Sequence, residues 1–327
     1  RVTMLISDHQ HPIDTGVSSK PEATEVVSGL DLSGKTALVT GGYSGIGIET
    51  VRALTSVGAH VVVPSRDIDR AVQALDGVIP ADQIGVMDLS DLPSVTAFGE
   101  TFARAYPVLD IAIFNAGVMA CPLDRTQQGL EWQLGVNHVG HFALLRTLLP
   151  SLRAAKGARV VTLSSIAHRF GGIEFSDMNY EHRPYDKWQA YGQAKSAQSL
   201  MAVELDRRER DNGIRSFAVH PGGIFTPLQR HLGNDEMAEF GWTTQDGQPS
   251  PVAQKLFKST SEGCATSLWA ATADVLNNTG GVYCEDCNVS SVVADDSNAF
   301  TGVRRWAVDG DIAERLWTET ETLIDRR

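Results

Sequence analysis

In "YGQAK", Tyr191 stands four residues before Lys195, and residues four apart on a helix share one face within reach of each other. That spacing suits proton chemistry. A free phenol has a pKa near ~10 and moves protons poorly at neutral pH. An ammonium beside it favours the phenolate, so the tyrosine can act as general acid in a reduction or general base in an oxidation. The stretch "MNYEHRPYDKWQAYGQAKSA" holds other phenols and cations, but Tyr180 meets Pro184 and Tyr185 meets Gln189 at the same spacing. Lys187 also lies four positions from Tyr191, yet Pro184 and the polar "YDK" place the helix start near Trp188 and leave Lys187 in the entry loop. An i,i+4 pair on a solvated helix face is the ordinary explanation of such spacing. Against it stands Ser165 in "VTLSSIAH", which ends a strand-like run at the edge where open parallel sheets place ligands.

A cofactor reading comes from "TGGYSGIG", residues 40 to 47, which follows one β-branched run and leads into a helical pattern. Gly41, Gly45 and Gly47, with Tyr43, Ser44 and Ile46 between them, let backbone approach a pyrophosphate at the helix N-terminus. At the end of the second strand a carboxylate would hold the ribose of NAD and an arginine the extra phosphate of NADP. "VVVPSRD" places Ser65 where the acid is expected and Arg66 next, with Asp67 close by. NADP(H) is favoured over NAD(H). Asp88 and Leu89 in "MDLS" end the third strand, where the acid is a candidate for the adenine amino group or for a turn. In "FNAG", Asn115, Ala116 and Gly117 end the fourth, and such small residues let backbone lie flat beside a cofactor.

These residues need a scaffold, and the pattern supplies one. Short β-branched runs at 36–40, 60–64, 83–89, 109–117, 158–165, 214–221 and 280–284 alternate with amphipathic stretches, which predicts a doubly wound α/β fold on one parallel seven-stranded sheet. Residues 31–327 form one domain in this reading, preceded by a polar arm over 1–30. The segment 226–260 lacks a clean helix period and reads as a substrate lid. Near the C-terminus, Ile312, Leu316, Trp317 and Leu323 share one helical face and predict a helix packed on the body.

Bulk properties exclude several functions. With 28 Lys and Arg against 40 Asp and Glu, the net charge of -12 disfavours nucleic acid and anionic membrane. No apolar run approaches the ~20 residues a membrane span needs, and the first thirty residues lack the charged start and apolar block of a signal peptide. Four unevenly spaced cysteines suit free thiols in a reducing cytoplasm better than a disulfide framework. "CEDC", Cys284 to Cys287, has no second ligand pair and carries two acids that would raise its thiol pKa values. His138 and His141, three apart, suit helix packing or a substrate-side role better than chelation, "HQH" at 9–11 suits a solvated arm, and no metal is expected.

Taken in order, TGxxxGIG, NAG, a helix asparagine, Ser, YxxxK and a PG motif resemble the short-chain dehydrogenase/reductase family over roughly 33 to 290. The resemblance implies cofactor roles for Gly41, Gly45, Gly47 and Asn115, and a catalytic group of Asn137, Ser165, Tyr191 and Lys195. Asn137 in "GVNHVGHF" would organise a proton-relay water, and Lys195 would also meet the nicotinamide ribose. In "HPGGIFT" the PG motif falls on Pro221 and Gly222, with Ile224 and Thr226 beside the carboxamide. "NHVGHF" and the 26 positions from Ser165 to Tyr191 are similar to the retinol dehydrogenase-like branch and its bacterial relatives, which is mostly NADP-linked. Tyr43 departs from the small or polar residues usual in that loop. A homodimer or homotetramer is implied.

The sequence thus predicts hydride transfer between NADP(H) and a carbonyl or alcohol, with protons moving through Tyr191. Leu228, Leu232, Met237, Phe240, Trp242 and Phe257 of the lid, with Met119, Cys121 and Phe170, suit an apolar small-molecule substrate. An NAD-linked alcohol dehydrogenase and a non-catalytic NADP-binding sensor on the same fold are the alternatives.

Overall fold

The structure is a computed structural model that describes residues 5–326. All seven expected parallel strands are present: β1 Thr36–Val39, β2 His60–Ser65, β3 Ile84–Val86, β4 Ile111–Phe114, β5 Ala158–Leu163, β6 Ile214–His220 and β7 Val282–Glu285. An eighth, β8 Asn288–Val289, extends the sheet antiparallel to β7, giving the order β3-β2-β1-β4-β5-β6-β7-β8. The sheet is therefore one strand wider than the sequence predicts. The reason is local: Asp286 and Cys287 both have positive φ, at 50° and 52°, and two such residues between paired Glu285 and Asn288 make the tight turn of a hairpin. "CEDC" is that hairpin. Beyond it, β9 Val292–Val293 and β10 Val303–Arg304 form a separate small parallel pair.

In chain order the helices are α1 Ala23–Val27, α2 Gly45–Ser56, α3 Ile68–Ala74, α4 Leu92–Ala105, α5 Trp132–Leu134, α6 Gly140–Ala154, α7 Lys187–Glu209, α8 Asn234–Glu239, α9 Pro251–Leu256, α10 Thr260–Thr272 and α11 Gly310–Asp325. Both faces of the sheet are covered, which is why its strands read as unbroken apolar runs. Successive strand residues point to opposite faces, so Leu38, Phe114 and Val160 pack with Phe142, Leu200 and Trp317 on one side. Val39, Val161 and Phe217 pack with Leu54, Leu268 and Trp269 on the other.

Several elements differ from expectation. The N-terminal segment docks rather than trailing: Ala23 and Val27 of α1 join the core. Gln10 is buried, donating to Tyr283 O at 3.0 Å and Ser290 O at 2.8 Å, while His9 and His11 stay exposed. Helix α7 begins at Lys187, with the Asp186 side chain accepting from Trp188 N and Gln189 N. It is buried almost all round between β5, β6 and α11, so it shows no amphipathic stripe. The tail behaves as predicted, with Leu316 and Trp317 of α11 buried. Among the described residues no helix is long and apolar enough to cross a membrane.

The strand order reverses between β1 and β4, which opens a crevice at their C-terminal ends where such sheets bind ligands. β1 ends at the glycine loop, β4 at "NAG" and β5 at Ser165, so topology alone brings these motifs to one edge.

Candidate active site

The glycine loop is shaped by contacts that leave no room for side chains. Gly41 has φ +64°, and a Cβ there would lie 2.9 Å from Ala116 Cα. A Cβ on Gly47 would lie 2.2 Å from Gly41 O and 2.6 Å from Asn115 Nδ2, so any larger residue would push the loop off the first turn of α2. Gly45 and Ile46 open that helix, and Ser44 caps it without a side-chain bond. Asn115 donates to Thr40 O at 3.0 Å and Gly41 O at 3.3 Å; its amide holds the loop closed. Tyr43, half-buried against the core, lies under the Arg70 guanidinium at 5.9 Å.

At the adenosine end the structure separates the candidates. The Ser65 hydroxyl accepts from Asp67 N at 3.0 Å and donates to Asp67 O at 2.8 Å, and the Asp67 carboxylate accepts from Arg70 N to cap α3. Both groups are engaged locally, whereas Arg66 is exposed. The Asp88 carboxylate takes the turn alternative, accepting from Ser90 N at 2.8 Å and Ser90 Oγ at 2.7 Å. Leu89 packs in the core.

Ser165, Tyr191 and Lys195 converge. Ser165 follows β5, its hydroxyl accepts from Ala167 N at 3.1 Å, and it lies near enough to the Tyr191 phenol to favour the phenolate. Lys195 is buried, donating to Leu163 O at 2.7 Å and Gln198 Oε1 at 2.8 Å. Its ammonium lies 5.6 Å from the centre of the Tyr191 ring. The expected lowering of the phenol pKa is not what this arrangement holds: burial pushes Tyr191 up, and the nearby Ser165 hydroxyl only partly opposes it. Burial likewise pulls Lys195 down to about 7. Each shift disfavours a lone charge in a dry site, and a phenolate beside an ammonium would relieve both.

Asn137 sits in a single π-turn, Gly135–Val139, between α5 and α6. Its side chain spans the Val118 backbone, accepting from N at 2.8 Å and donating to O at 2.9 Å. The "NAG" backbone passes beside it: a Cβ on Gly117 would be 3.1 Å from Asn137 Oδ1 and 3.6 Å from Lys195 Nζ. Across the crevice, the segment from Pro221 and Gly222 runs to Ile224, which packs near Ile46, and to Thr226, 3.5 Å from a Cβ on Gly45. The Thr226 hydroxyl accepts from Leu228 N and starts the lid.

The lid closes over Tyr191. Leu232 of the lid packs with Met119, Ala167 and Tyr191, joined by Phe170, Trp188, Met237 and Trp242. Trp188 is the hub, its ring 5.0 Å from Phe240 and 6.2 Å from Tyr191. One lid carboxylate fastens the arrangement: Glu236 accepts from Lys187 Nζ at 2.7 Å and Trp188 Nε1 at 2.9 Å. Lys187 therefore serves the lid rather than the phenol. A part-exposed pair of this kind is worth about 1 kcal/mol or less, so Glu236→Ala is expected to weaken binding of whatever ligand the lid covers by up to about fivefold, which titration of that ligand would show.

Several neighbours of the site carry no motif in the sequence. Gln198 and Glu236 are polar residues of ordinary type, and His141 reads as packing or a substrate-side group. Only the fold shows that Gln198 accepts from Lys195, that Thr40, just past β1, meets "NAG", and that Glu236 folds back onto α7.

An open crevice at a strand-order reversal, a glycine loop entering a helix, and a half-buried Ser165 beside buried Tyr191 and Lys195 together suit an oxidoreductase on a dinucleotide-binding fold. The chain belongs to the short chain dehydrogenase family, whose model matches residues 35–237. It is 40% identical over 297 residues to a Streptomyces lividans protein named "Probable oxidoreductase", covering 88% of this chain and 97% of that one. It is 37% identical to mouse retinol dehydrogenase 12, covering 88% of this chain and 89% of that one. A crystal structure of an uncharacterised Mycobacterium paratuberculosis protein superposes with a TM-score of 0.69 at 31% identity, covering 92% of this chain and 97% of that one.

Proposed function

We propose that the protein is an NADP(H)-dependent reductase or dehydrogenase acting on the carbonyl or alcohol group of an apolar small molecule. The observation that carries this reading is the Ser165–Tyr191–Lys195 group, its tyrosine and lysine buried, beside the glycine loop and beneath an aromatic lid. The residues fit a dinucleotide: the loop is stripped of side chains where a pyrophosphate would lie, and buried Lys195 lacks a counter-charge. Gly41, Gly45 and Gly47 would hold the pyrophosphate, Arg66 the 2′-phosphate, Lys195 the ribose hydroxyls, and Ile224 and Thr226 the carboxamide. The bound cofactor supplies a hydride to the carbonyl carbon.

The chain's own residues manage the proton. Tyr191, held protonated by burial, donates to the carbonyl oxygen as that oxygen gains charge, while the Ser165 hydroxyl hydrogen-bonds the same centre. The phenolate left behind is stabilised by Ser165 and the Lys195 ammonium until a proton returns. Asn137 fixes the Val118 backbone beside them, and the lid excludes water. The same reading takes a cytoplasmic homodimer or homotetramer.

NADPH and NADH consumption against a panel of apolar ketones and aldehydes tests this function. NADPH-dependent turnover supports it, and binding without turnover on any of them would favour a sensor. Arg66 is tested separately. A charge-assisted bond is worth about 1.5–3 kcal/mol, so Arg66→Asp is expected to cut kcat/KM for NADPH roughly 10- to 100-fold and to leave NADH the better cofactor. An unchanged ratio would remove Arg66 as the phosphate reader.

A further inference from the structure

His141 is fully buried in the first turn of α6, and both of its ring nitrogens are engaged. Nδ1 lies 2.8 Å from Asn137 O, and Nε2 lies 2.8 Å from Thr40 Oγ1. Thr40 Oγ1 also accepts from Ala116 N at 3.0 Å. Burial lowers the histidine pKa to about 4, so the ring is neutral and carries one N–H.

The direction of every bond then follows. A carbonyl only accepts, so Nδ1 holds the proton and donates to Asn137. Nε2 is left as an acceptor, and the Thr40 hydroxyl must donate to it. The Thr40 oxygen is then free to accept from Ala116. One directed chain runs from the Ala116 amide through Thr40 and His141 to the Asn137 carbonyl, with no member reversible unless another loses its partner. Phe114, the last residue of β4, stacks on the ring at 5.0 Å and 23° and fixes its plane. Three stretches distant in sequence, at 40, 114–116 and 137, meet on this imidazole.

We propose that His141 is a positioning residue that couples the cofactor floor, formed by Thr40 and Ala116, to Asn137. It does so by setting the direction in which the Asn137 carbonyl and the π-turn face the site. This rests on the proposed function for its kinetic readout but not for its geometry.

The test is a double-mutant cycle on Thr40→Val and His141→Phe, with Thr40→Ser as the conservative control. Thr40→Val keeps the shape and removes only the hydroxyl, so it decides the matter even if His141→Phe folds poorly. Both single variants are expected to lower kcat about tenfold per folded site, and the double variant to lose little more than either alone, because a chain broken once is already broken. Thr40→Ser should stay within about twofold of the parent. Additive losses, a kcat unchanged by Thr40→Val, or a Thr40→Ser as impaired as Thr40→Val would overturn the proposal. If the parent binds NADPH but reduces no carbonyl, the functional reading fails instead. The same cycle is then read in NADPH affinity by fluorescence, where a non-additive loss supports the coupling and an additive one rejects it.

Discussion

Replacing Tyr191 with phenylalanine is expected to lower kcat by ~10²–10⁴-fold, the range typical of a lost general acid, while NADPH still binds with near-parent affinity. Phenylalanine keeps the ring that packs with Met119, Ala167 and Leu232, so the lid and the core beneath it persist. What disappears is the proposed proton donor, with the phenol oxygen near Ser165. Ser165 and Lys195 remain, but neither can replace it: the Ser165 hydroxyl is a far weaker acid, and Lys195 is committed to Leu163 O and Gln198. Single-turnover kinetics with fluorescence titration of NADPH separates chemistry from binding. Activity within tenfold of the parent would show that another group moves the proton.

A loss of stability in mild acid is the second large effect. His138, His141, His168 and His220 are all buried, and burial lowers their pKa values from 6.5 to about 3, 4, 4 and 3 respectively. A histidine with a depressed folded pKa binds fewer protons folded than unfolded. Its stability contribution is complete above 6.5 and declines as pH falls below 6.5, until the folded pKa is passed. Each contributes up to about 1.4 kcal/mol of loss per pH unit in that window. Glu131, Asp206 and Glu285 act in the opposite sense, since burial raises their pKa values and favours the fold as they take up protons. Four histidines outweigh them through the upper part of the window, where few carboxylates titrate. Urea unfolding between pH 8 and 5 should show stability falling most steeply below 6.5, with a shallower decline from 8 to 7, where Lys195, pulled down to about 7 by burial, binds fewer protons folded than unfolded. A stability that is constant or rises down to pH 5 would contradict the neutral, buried assignment.

The motifs that fall at strand ends were legible because backbone geometry restricts them to a few residue types. Gly41 and Gly47 can be nothing larger, and the strands announce themselves by β-branched runs buried on both faces. The antiparallel β8 was not legible, since it depends on two non-glycine residues at positive φ in "CEDC". Composition gives no warning of that. The N-terminal segment reads as solvated because most of its residues are polar, yet Gln10 binds the β7 to β8 region with its amide and Val27 fills a core position. Such long-range partners leave no periodic trace.

The site shows the same division. Spacing found Tyr191 and Lys195, but it could not show that the lysine reaches past the phenol to the end of β5. The sequence reading therefore carried an incomplete electrostatic picture: burial, not the ammonium, dominates both groups in the protein alone. His141 illustrates the limit from the other side. As one of two histidines three apart it reads as packing or a substrate-side group, and its meaning comes from Thr40, 101 positions away.

Hydride transfer itself is tested most directly by reducing an apolar ketone or aldehyde with NADPH carrying deuterium at the transferable C4 position, in ordinary water. The alcohol product should carry deuterium on the former carbonyl carbon and a solvent-derived proton on oxygen. A product with no deuterium on that carbon would contradict direct transfer and with it the function assigned to this site.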